Sequence, residues 1–105
     1  MAVRLLPEAR DDLREAVKYY RKVSPPVLGR QLAQRILAAF HECMKGVASA
    51  PNARPLHPDI PGVRFVAFRG FPYIAFYAVQ SEDVVVVAVE YATSDYTRRV
   101  AARLP

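Results

Sequence analysis

The sequence predicts an α+β domain in which a helical hairpin packs on an antiparallel sheet of three consecutive C-terminal strands. Residues 63–91 are dominated by β-branched and aromatic side chains, which suit a pleated and half-buried surface. Two short breaks, at residues 70–72 and 80–83, allow this segment to return beside itself twice. The first half of the chain instead carries apolar residues at helical spacing. Because the chain has 105 residues and 52% of them are hydrophobic, we expect one domain, residues 1–105, with one core.

The N-terminal part predicts a strand followed by a helix. Residues 2–6 are apolar apart from Arg4, which is typical of a short strand. Pro7 suits the first turn of a helix because no N–H is needed there. Over residues 8–22 the apolar side chains recur every three or four positions, at Ala9, Leu13, Ala16, Val17 and Tyr20. The proline pair at residues 25–26 then ends this helix.

A second amphipathic helix is predicted over residues 27–47, followed by a long loop. Its apolar stripe comprises Leu28, Leu32, Ile36, Phe40, Cys43 and Val47. We expect Cys43 to pack in the core as a small hydrophobic residue. Residues 49–62 contain four prolines and predict the loop that leads to the sheet. His57 lies in this loop, and we expect it to be exposed to solvent rather than catalytic.

Alternation along the middle strand predicts which side chains share a face of the sheet. One face carries Tyr73, Ala75, Tyr77 and Val79, and the other carries Ile74, Phe76 and Ala78. We expect Ile74 and Phe76 to lie beneath the helices. Residues 84–89 are apolar on both faces, which is typical of a central strand.

The last residues predict a short C-terminal helix. Asp95 is suited to cap its N-terminus, because a carboxylate can accept hydrogen bonds from the first backbone N–H groups. We expect Val100 and Leu104 to point inward, while Arg98, Arg99 and Arg103 lie on the same helix.

Composition and motif spacing disfavour several classes of protein. No apolar run reaches the roughly 18 residues of a membrane span, and the N-terminus has no signal-like apolar region. A single cysteine excludes an intrachain disulfide, so we expect a cytoplasmic protein without membrane association. The spacings typical of metal sites, nucleotide loops and serine hydrolases are missing, so we expect neither a cofactor nor a metal. The net charge of +5 permits an anionic partner such as nucleic acid or an acidic protein.

The remaining candidates for function are arginine and tyrosine side chains on the predicted strands, namely Arg64, Arg69, Tyr73, Tyr77 and Tyr91. Arginine binds phosphate or carboxylate through a planar fork, and a sheet face with arginine and tyrosine suits single-stranded RNA. The alternative is a structural interpretation, in which Arg64 binds carbonyls of the preceding loop and the tyrosines pack in the core. No histidine lies on the predicted sheet, so acid–base catalysis would depend on Glu90, tyrosine or arginine.

The order of the segments resembles the RelE/ParE superfamily of bacterial toxins from type II toxin–antitoxin modules, ParE-like members in particular. The resemblance extends over residues 3–95 and includes a Tyr-Tyr pair ending the first helix and a Phe-Pro-Tyr-Ile motif on the sheet. The matching residues are Ala9, Asp12, Leu13, Tyr19, Tyr20, Leu28, Gly29, Pro51, Gly62, Val63, Arg64, Phe71, Pro72, Tyr73, Ile74 and Tyr77.

This resemblance implies a cognate antitoxin, encoded by an adjacent gene, that wraps the toxin with a helix and extended segments. We expect that contact to be tight and largely apolar, on exposed helix stripes or a sheet edge. In such modules the complex binds its own operator DNA through the antitoxin. RelE-like members cut messenger RNA in the ribosomal A site, whereas ParE-like members inhibit DNA gyrase.

The sequence departs from the superfamily after the last strand. Many members have a histidine there, followed by one or two arginines, but this chain has Tyr91 and Ser94 at the corresponding positions. This departure favours a ParE-like toxin that inhibits growth by binding its target, with Arg64, Tyr73, Arg98 and Arg99 as candidate target-binding residues. One alternative is a RelE-like ribonuclease that uses Arg64, Arg69, Tyr77 and Tyr91 as candidate catalytic residues. Another is a non-toxic member that binds only its antitoxin.

Overall fold

A computed structural model describes residues 1–104 and confirms the α+β class. Proline begins both long helices, as the sequence predicts for the first of them. The elements, in chain order, are β1 (Ala2–Leu5), α1 (Pro7–Arg21), α2 (Pro26–Ser49), β2 (Arg64–Ala67), β3 (Tyr73–Gln80), β4 (Asp83–Tyr91) and α3 (Thr97–Ala101).

The strands form one four-stranded sheet in the order β1-β4-β3-β2. β2, β3 and β4 pair antiparallel, which confirms the three consecutive strands of the prediction. β1 adds a parallel pairing along β4, with Val3 opposite Val84 and Leu5 opposite Val86. β4 is therefore an interior strand, and residues 84–89 are buried throughout, as their two-sided apolar pattern predicts.

The two long helices approach each other closely at the tip of their hairpin, where Gly29 is required. A Cβ atom at Gly29 would lie 2.4 Å from the Arg21 carbonyl oxygen and 2.6 Å from that of Val23. Any larger residue would therefore push α2 away from the end of α1. The helices cover one face of the sheet, the hairpin face, and they pack there on Ala75, Tyr77, Val84, Val86 and Val89.

The opposite face of the sheet is closed by the loop before β2 and by α3, and we call it the loop face. Its buried residues are Ile60, Val63, Phe76, Val87, Ala88 and Val100, with Ile74 and Leu104 packed against them. The expectation that Ile74 and Phe76 lie beneath the helices is therefore wrong. Alternation sorts residues of a strand into two sets, but it cannot say which set faces the helices when both sets are apolar.

Asp12 and Arg103 complete the edge of β4 that β1 leaves open. The backbone pairing of the N-terminal segment with β4 ends at Leu6, whose N–H donates to the Val86 carbonyl at 3.0 Å. Beyond that point the Asp12 carboxylate accepts a hydrogen bond from the Val89 N–H at 3.0 Å and two from the Arg103 guanidinium at 2.6 and 3.2 Å. Arg103 also donates to the Val87 carbonyl at 3.1 Å. These side chains occupy the place that a longer β1 would fill, and they supply hydrogen bonds to the backbone groups of β4 that β1 does not reach.

A second ion pair fastens α3 to the sheet. Arg99 donates to both carboxylate oxygens of the buried Glu90, at 3.0 and 2.8 Å. The prediction that Asp95 caps this helix is wrong, because its N-cap residue is Tyr96 and no side chain donates or accepts a capping hydrogen bond. Val100 is fully buried, as its place in the sequence pattern predicts.

His57 is not the solvent-exposed loop residue that the sequence suggests. It is half-buried on the loop face, where its ring contacts Phe65 and Phe76. Its Nε2 atom lies 3.1 Å from the Tyr96 hydroxyl, and its Nδ1 atom accepts a hydrogen bond from the Asp59 N–H. The apolar residues around it hold this ring in place, a tertiary effect that local composition does not reveal.

Candidate protein-binding surfaces

The structure does not bring the candidate catalytic residues into one exposed site. Tyr77 is completely buried on the hairpin face, and its hydroxyl donates to the Pro51 carbonyl at 3.2 Å. Burial raises the pKa of Tyr77 above its ordinary value of 10, against the opposing effect of Arg64 and Arg54. The expectation that Tyr77 lies on an open face is wrong, because the ring is needed to fill the core beneath the helices.

Arg64 and Arg99 already hold partners within the chain. The Arg64 Nη1 atom donates to the Arg54 carbonyl at 2.5 Å, which is the structural interpretation considered for this residue. Arg99 binds Glu90 through two hydrogen bonds. Arg98, its neighbour on α3, is exposed and has no ion pair with the described residues. Among the predicted target-binding arginines, Arg64 and Arg99 therefore have structural partners, whereas Arg98 is accessible.

Tyr73 and Tyr91, by contrast, meet in an aromatic cluster. We define the tyrosine patch as Tyr19, Tyr20, Phe71, Tyr73 and Tyr91, whose neighbouring rings contact edge to face with centroids 5.1–6.2 Å apart. Its members come from the end of α1, the turn between β2 and β3, and the ends of β3 and β4. Burial is the main cause that raises the pKa of both Tyr20 and Tyr73.

Sequence reasoning did not identify Tyr19 as a functional candidate. Its position in the sequence could have identified it, because the apolar stripe of α1 includes Tyr20 but leaves Tyr19 on the polar side of the helix. The side chain of Tyr19 is 64% exposed, which is the largest exposure among the exposed large hydrophobic residues. A large aromatic residue outside the core stripe of a helix is a better pointer to a binding surface than one within it.

A second surface is the α2–β2 groove, an open depression of roughly 1040 Å³ between α2 and the edge strand β2. It is lined by Leu32, Arg35, Ala38, Ala39, Glu42, Cys43, Arg54, Pro55, Phe65, Val66, Ala67, Arg69, Gly70 and Phe71. Three arginines and one glutamate give the groove a positive charge over an apolar floor. Cys43 is buried there as predicted, and burial raises the pKa of its thiol.

The edge of β2 is largely closed to another strand. Within the preceding loop, the His57 N–H donates to the Val63 carbonyl and the Pro55 carbonyl accepts from Phe65 N–H. Ala67, at the end of β2, lies beyond these hydrogen bonds from the loop, and its carbonyl accepts a weak hydrogen bond from the Cys43 thiol. The groove therefore offers side-chain contacts to a partner more than it offers backbone pairing.

No helix among residues 1–104 combines the length and the apolar character that crossing a membrane requires.

Comparison with known proteins agrees with this architecture. The family model described as the ParE toxin of the type II toxin–antitoxin system, parDE, matches residues 3–96. No curated protein sequence matches the chain closely enough to count as a relative.

Solved structures share the fold. The chromosomal ParDE toxin–antitoxin system of P. aeruginosa includes a chain that is 21% identical, with a TM-score of 0.68 over 87% of this chain and 95% of that one. A free double mutant of the E. coli toxin RelE is 20% identical, with a TM-score of 0.56 over 97% and 94% of the two chains. The intact E. coli RelBE complex contains a chain that is 21% identical, with a TM-score of 0.51 over 89% and 98%. With the family match covering nearly its whole length, the chain belongs to the ParE toxin family of type II toxin–antitoxin systems.

Proposed function

We propose that this toxin arrests growth by binding a protein target, DNA gyrase, and that a cognate antitoxin from an adjacent gene neutralises it. The observation that carries the proposal is which side chains are buried or paired and which remain accessible on the surface of the protein. Tyr77 is buried and Arg64 is already paired, so two of the four candidate catalytic residues are not free to act on RNA. The other two, Arg69 and Tyr91, belong to an open cationic groove and an exposed aromatic cluster, which are available to protein partners. Aromatic and arginine side chains are the usual anchors of protein interfaces.

Ribonuclease activity finds little support in the arrangement of titratable groups. A general base must reach the attacking hydroxyl, directly or through one water molecule. Both ring nitrogens of His57 are engaged on the loop face, and the buried Glu90 carboxylate is held by Arg99. The other accessible candidates do not meet in one site, because Arg64 binds the Arg54 carbonyl, Arg69 lines the α2–β2 groove and Tyr91 lies in the tyrosine patch.

The antitoxin partner is expected to occupy the α2–β2 groove. The groove presents Arg35, Arg54 and Arg69 around apolar side chains, with Glu42 as its one acidic residue. An amphipathic segment that combines acidic and apolar residues would therefore complement it. On this model the toxin itself makes no contact with operator DNA, which is bound through the antitoxin.

The proposal is tested by inducing the chain alone in a bacterial host while following growth, plasmid supercoiling and message length. We expect growth to stop with intact messages and altered supercoiling, and we expect co-expression of the adjacent-gene product to restore growth. Rapid cleavage of messages before any change in supercoiling would instead support the ribonuclease alternative. Normal growth at full expression would support a member that only binds its antitoxin.

The groove assignment is tested with Arg35→Glu, which reverses a charge on the groove wall. We expect the variant to bind the antitoxin at least about tenfold more weakly, measured by calorimetry with purified proteins. Arg30→Glu is the matched control, because it makes the same change on an exposed position of α2 that does not line the groove. Equal weakening by both variants would indicate a general charge effect and would contradict the assignment.

A further inference from the structure

The tyrosine patch contains most of the tyrosines in the molecule, and none of its hydroxyl groups has a hydrogen-bond partner among residues 1–104. Four of the six tyrosines of the chain belong to it. The other two use their hydroxyls inside the fold, Tyr77 on the Pro51 carbonyl and Tyr96 on the His57 ring. No side-chain hydrogen bond within residues 1–104 involves a hydroxyl of the patch. These groups are therefore available to a partner outside the chain.

Two of the tyrosines in the patch are exposed to solvent. Tyr19 is 64% exposed and Tyr91 is 44% exposed, although both rings contact half-buried neighbours at Tyr20 and Tyr73. The half-buried rings fix the geometry, and the outer two rings are the solvent-exposed members of the patch. A rigid aromatic cluster of this kind loses little side-chain entropy when it binds, which is typical of interface hot spots.

The residues that flank the patch in the sequence are mainly basic. Lys18, Arg21 and Lys22 flank the tyrosine pair at the end of α1, and Arg69 precedes Phe71 by two residues. The acidic neighbours are already paired, because Glu15 lies 3.9 Å from Lys18 and Glu90, beside Tyr91, binds Arg99. A partner surface rich in carboxylates would complement the cations and accept hydrogen bonds from the tyrosine hydroxyls.

The edge-to-face packing favours a protein partner over nucleic acid. Base stacking needs open ring faces that successive bases can cover. Here the rings of Tyr20 and Tyr73 each contact two or more other aromatic rings at steep angles, which obstructs their faces. Protein interfaces commonly use the hydroxyl groups and ring edges of tyrosine, which do not need open ring faces.

We infer that the tyrosine patch is the surface through which this toxin contacts an acidic surface of its protein target. This inference rests on the proposed function and assigns the target-binding surface within it. The turn at residues 69–71 belongs to both surfaces, because it lines the α2–β2 groove and carries Phe71 of the patch. An antitoxin seated in the groove would therefore hinder the target at the shared turn, which gives neutralisation a steric cause.

The test compares the double variant Tyr19→Ala/Tyr91→Ala with the wild-type chain. Both residues are exposed, and circular dichroism with thermal melting establishes that the variant is folded. We expect its affinity for purified gyrase to fall at least about tenfold and its toxicity to be lost, since hot-spot truncations commonly have effects of this size. Affinity for the antitoxin should change less than about threefold. Leu37→Ala, a partly exposed residue on α2 outside both surfaces, serves as the control and should remain toxic.

Each other outcome has a definite meaning. A folded double variant that is as toxic as the wild type overturns the inference and leaves the proposed function standing. A wild-type chain that arrests growth without binding gyrase overturns the gyrase proposal, while the toxicity of the variants still decides the role of the patch. Loss of antitoxin binding in the double variant would assign the patch to the antitoxin instead. Tight binding of a single-stranded oligonucleotide that requires Tyr19 and Tyr91 would also overturn the assignment to a protein.

Discussion

The two faces of the sheet are closed by different kinds of interaction. The hairpin face is covered by α1 and α2, and its core consists almost entirely of apolar side chains such as Ile36, Phe40 and Val47. The loop face has a smaller core under α3 and the loop before β2, and side-chain polar contacts help to fasten these covers. They include the ion pairs Asp12–Arg103 and Glu90–Arg99 and the contact between His57 and Tyr96.

The difference follows from the length of the covering segments. A helix of 15 or 24 residues carries enough apolar surface on one side to dock mainly through apolar packing, to which α1 adds the Asp12 contact with β4. A helix of five residues, such as α3, does not, since isolated short helices are unstable in water. Ion pairs of Arg99 on α3 and of Arg103 just beyond its end therefore hold it against the sheet, and Arg103 also donates to the Val87 carbonyl of β4. We expect the loop face to respond to changes of single polar residues more strongly than the hairpin face does.

The largest expected effect is from Phe76→Ala, which tests whether the loop face is a true core. Phe76 is fully buried and packs against the rings of His57 and Tyr96. Its loss should lower the free energy of unfolding by about 3–5 kcal/mol, as is typical when a buried phenylalanine leaves a cavity. Chemical denaturation measures the change, with Phe40→Ala as the counterpart on the hairpin face. A loss below about 1 kcal/mol for Phe76→Ala alone would mean that the loop face is only a loose cover.

The next effect is from Asp12→Asn, which removes the charge that Arg103 and the Val89 N–H share. The side chains of Asp12 and Arg103 are only 18% and 15% exposed, so the remaining guanidinium would be poorly solvated. We expect a loss of about 3 kcal/mol in the free energy of unfolding. Asp11→Asn is the matched control on the same helix, because its pair with Arg14 is exposed and should contribute less than about 1 kcal/mol. Similar losses for both variants would show that α3 does not depend on the buried pair.

The smallest expected effect is a loss of stability at alkaline pH, which is caused by tyrosines that pack on the hairpin face. Burial raises the pKa of Tyr20, Tyr73 and Tyr77 above the ordinary value of 10. The unfolded chain then releases these protons first, so their contribution is fully present below pH 10 and is lost as pH rises through the folded-state values.

Urea denaturation between pH 8 and pH 11 measures this dependence. Tyr73→Phe has no hydroxyl to ionise and should lose less stability over the same interval than the wild type. Identical pH profiles for the two proteins would exclude Tyr73 as a contributor.

The order and class of the elements followed from local patterns. Apolar residues at helical spacing predicted two helices whose ends lie within two residues of the observed ones, Pro7–Arg21 and Pro26–Ser49. The β-branched and aromatic run predicted three antiparallel strands, and its two-sided apolar segment identified β4 as one of the interior strands. The resemblance to RelE/ParE toxins rested on short motifs in these elements, and the family match confirms it.

Local patterns could not decide how the surfaces assemble. Asp12 and Arg103 are 91 positions apart, and the patch joins Tyr19 of α1 to Tyr91 of β4. Neither contact has a local sequence signal, because both depend on how α1 and α3 dock on the sheet. The same limit explains why Tyr77 was wrongly expected on an open face: its polar hydroxyl suggests a surface position, but the side chain lies in the core.

The sequence by itself therefore determined the helices, the strands and their order, because backbone propensities and apolar periodicity act over a few neighbouring residues. Only the tertiary structure decided which face of β3 the helices cover, which arginines are paired and which tyrosines remain exposed. A strand that is apolar on both sides can pack either way, and the choice depends on the total surface that each covering segment buries.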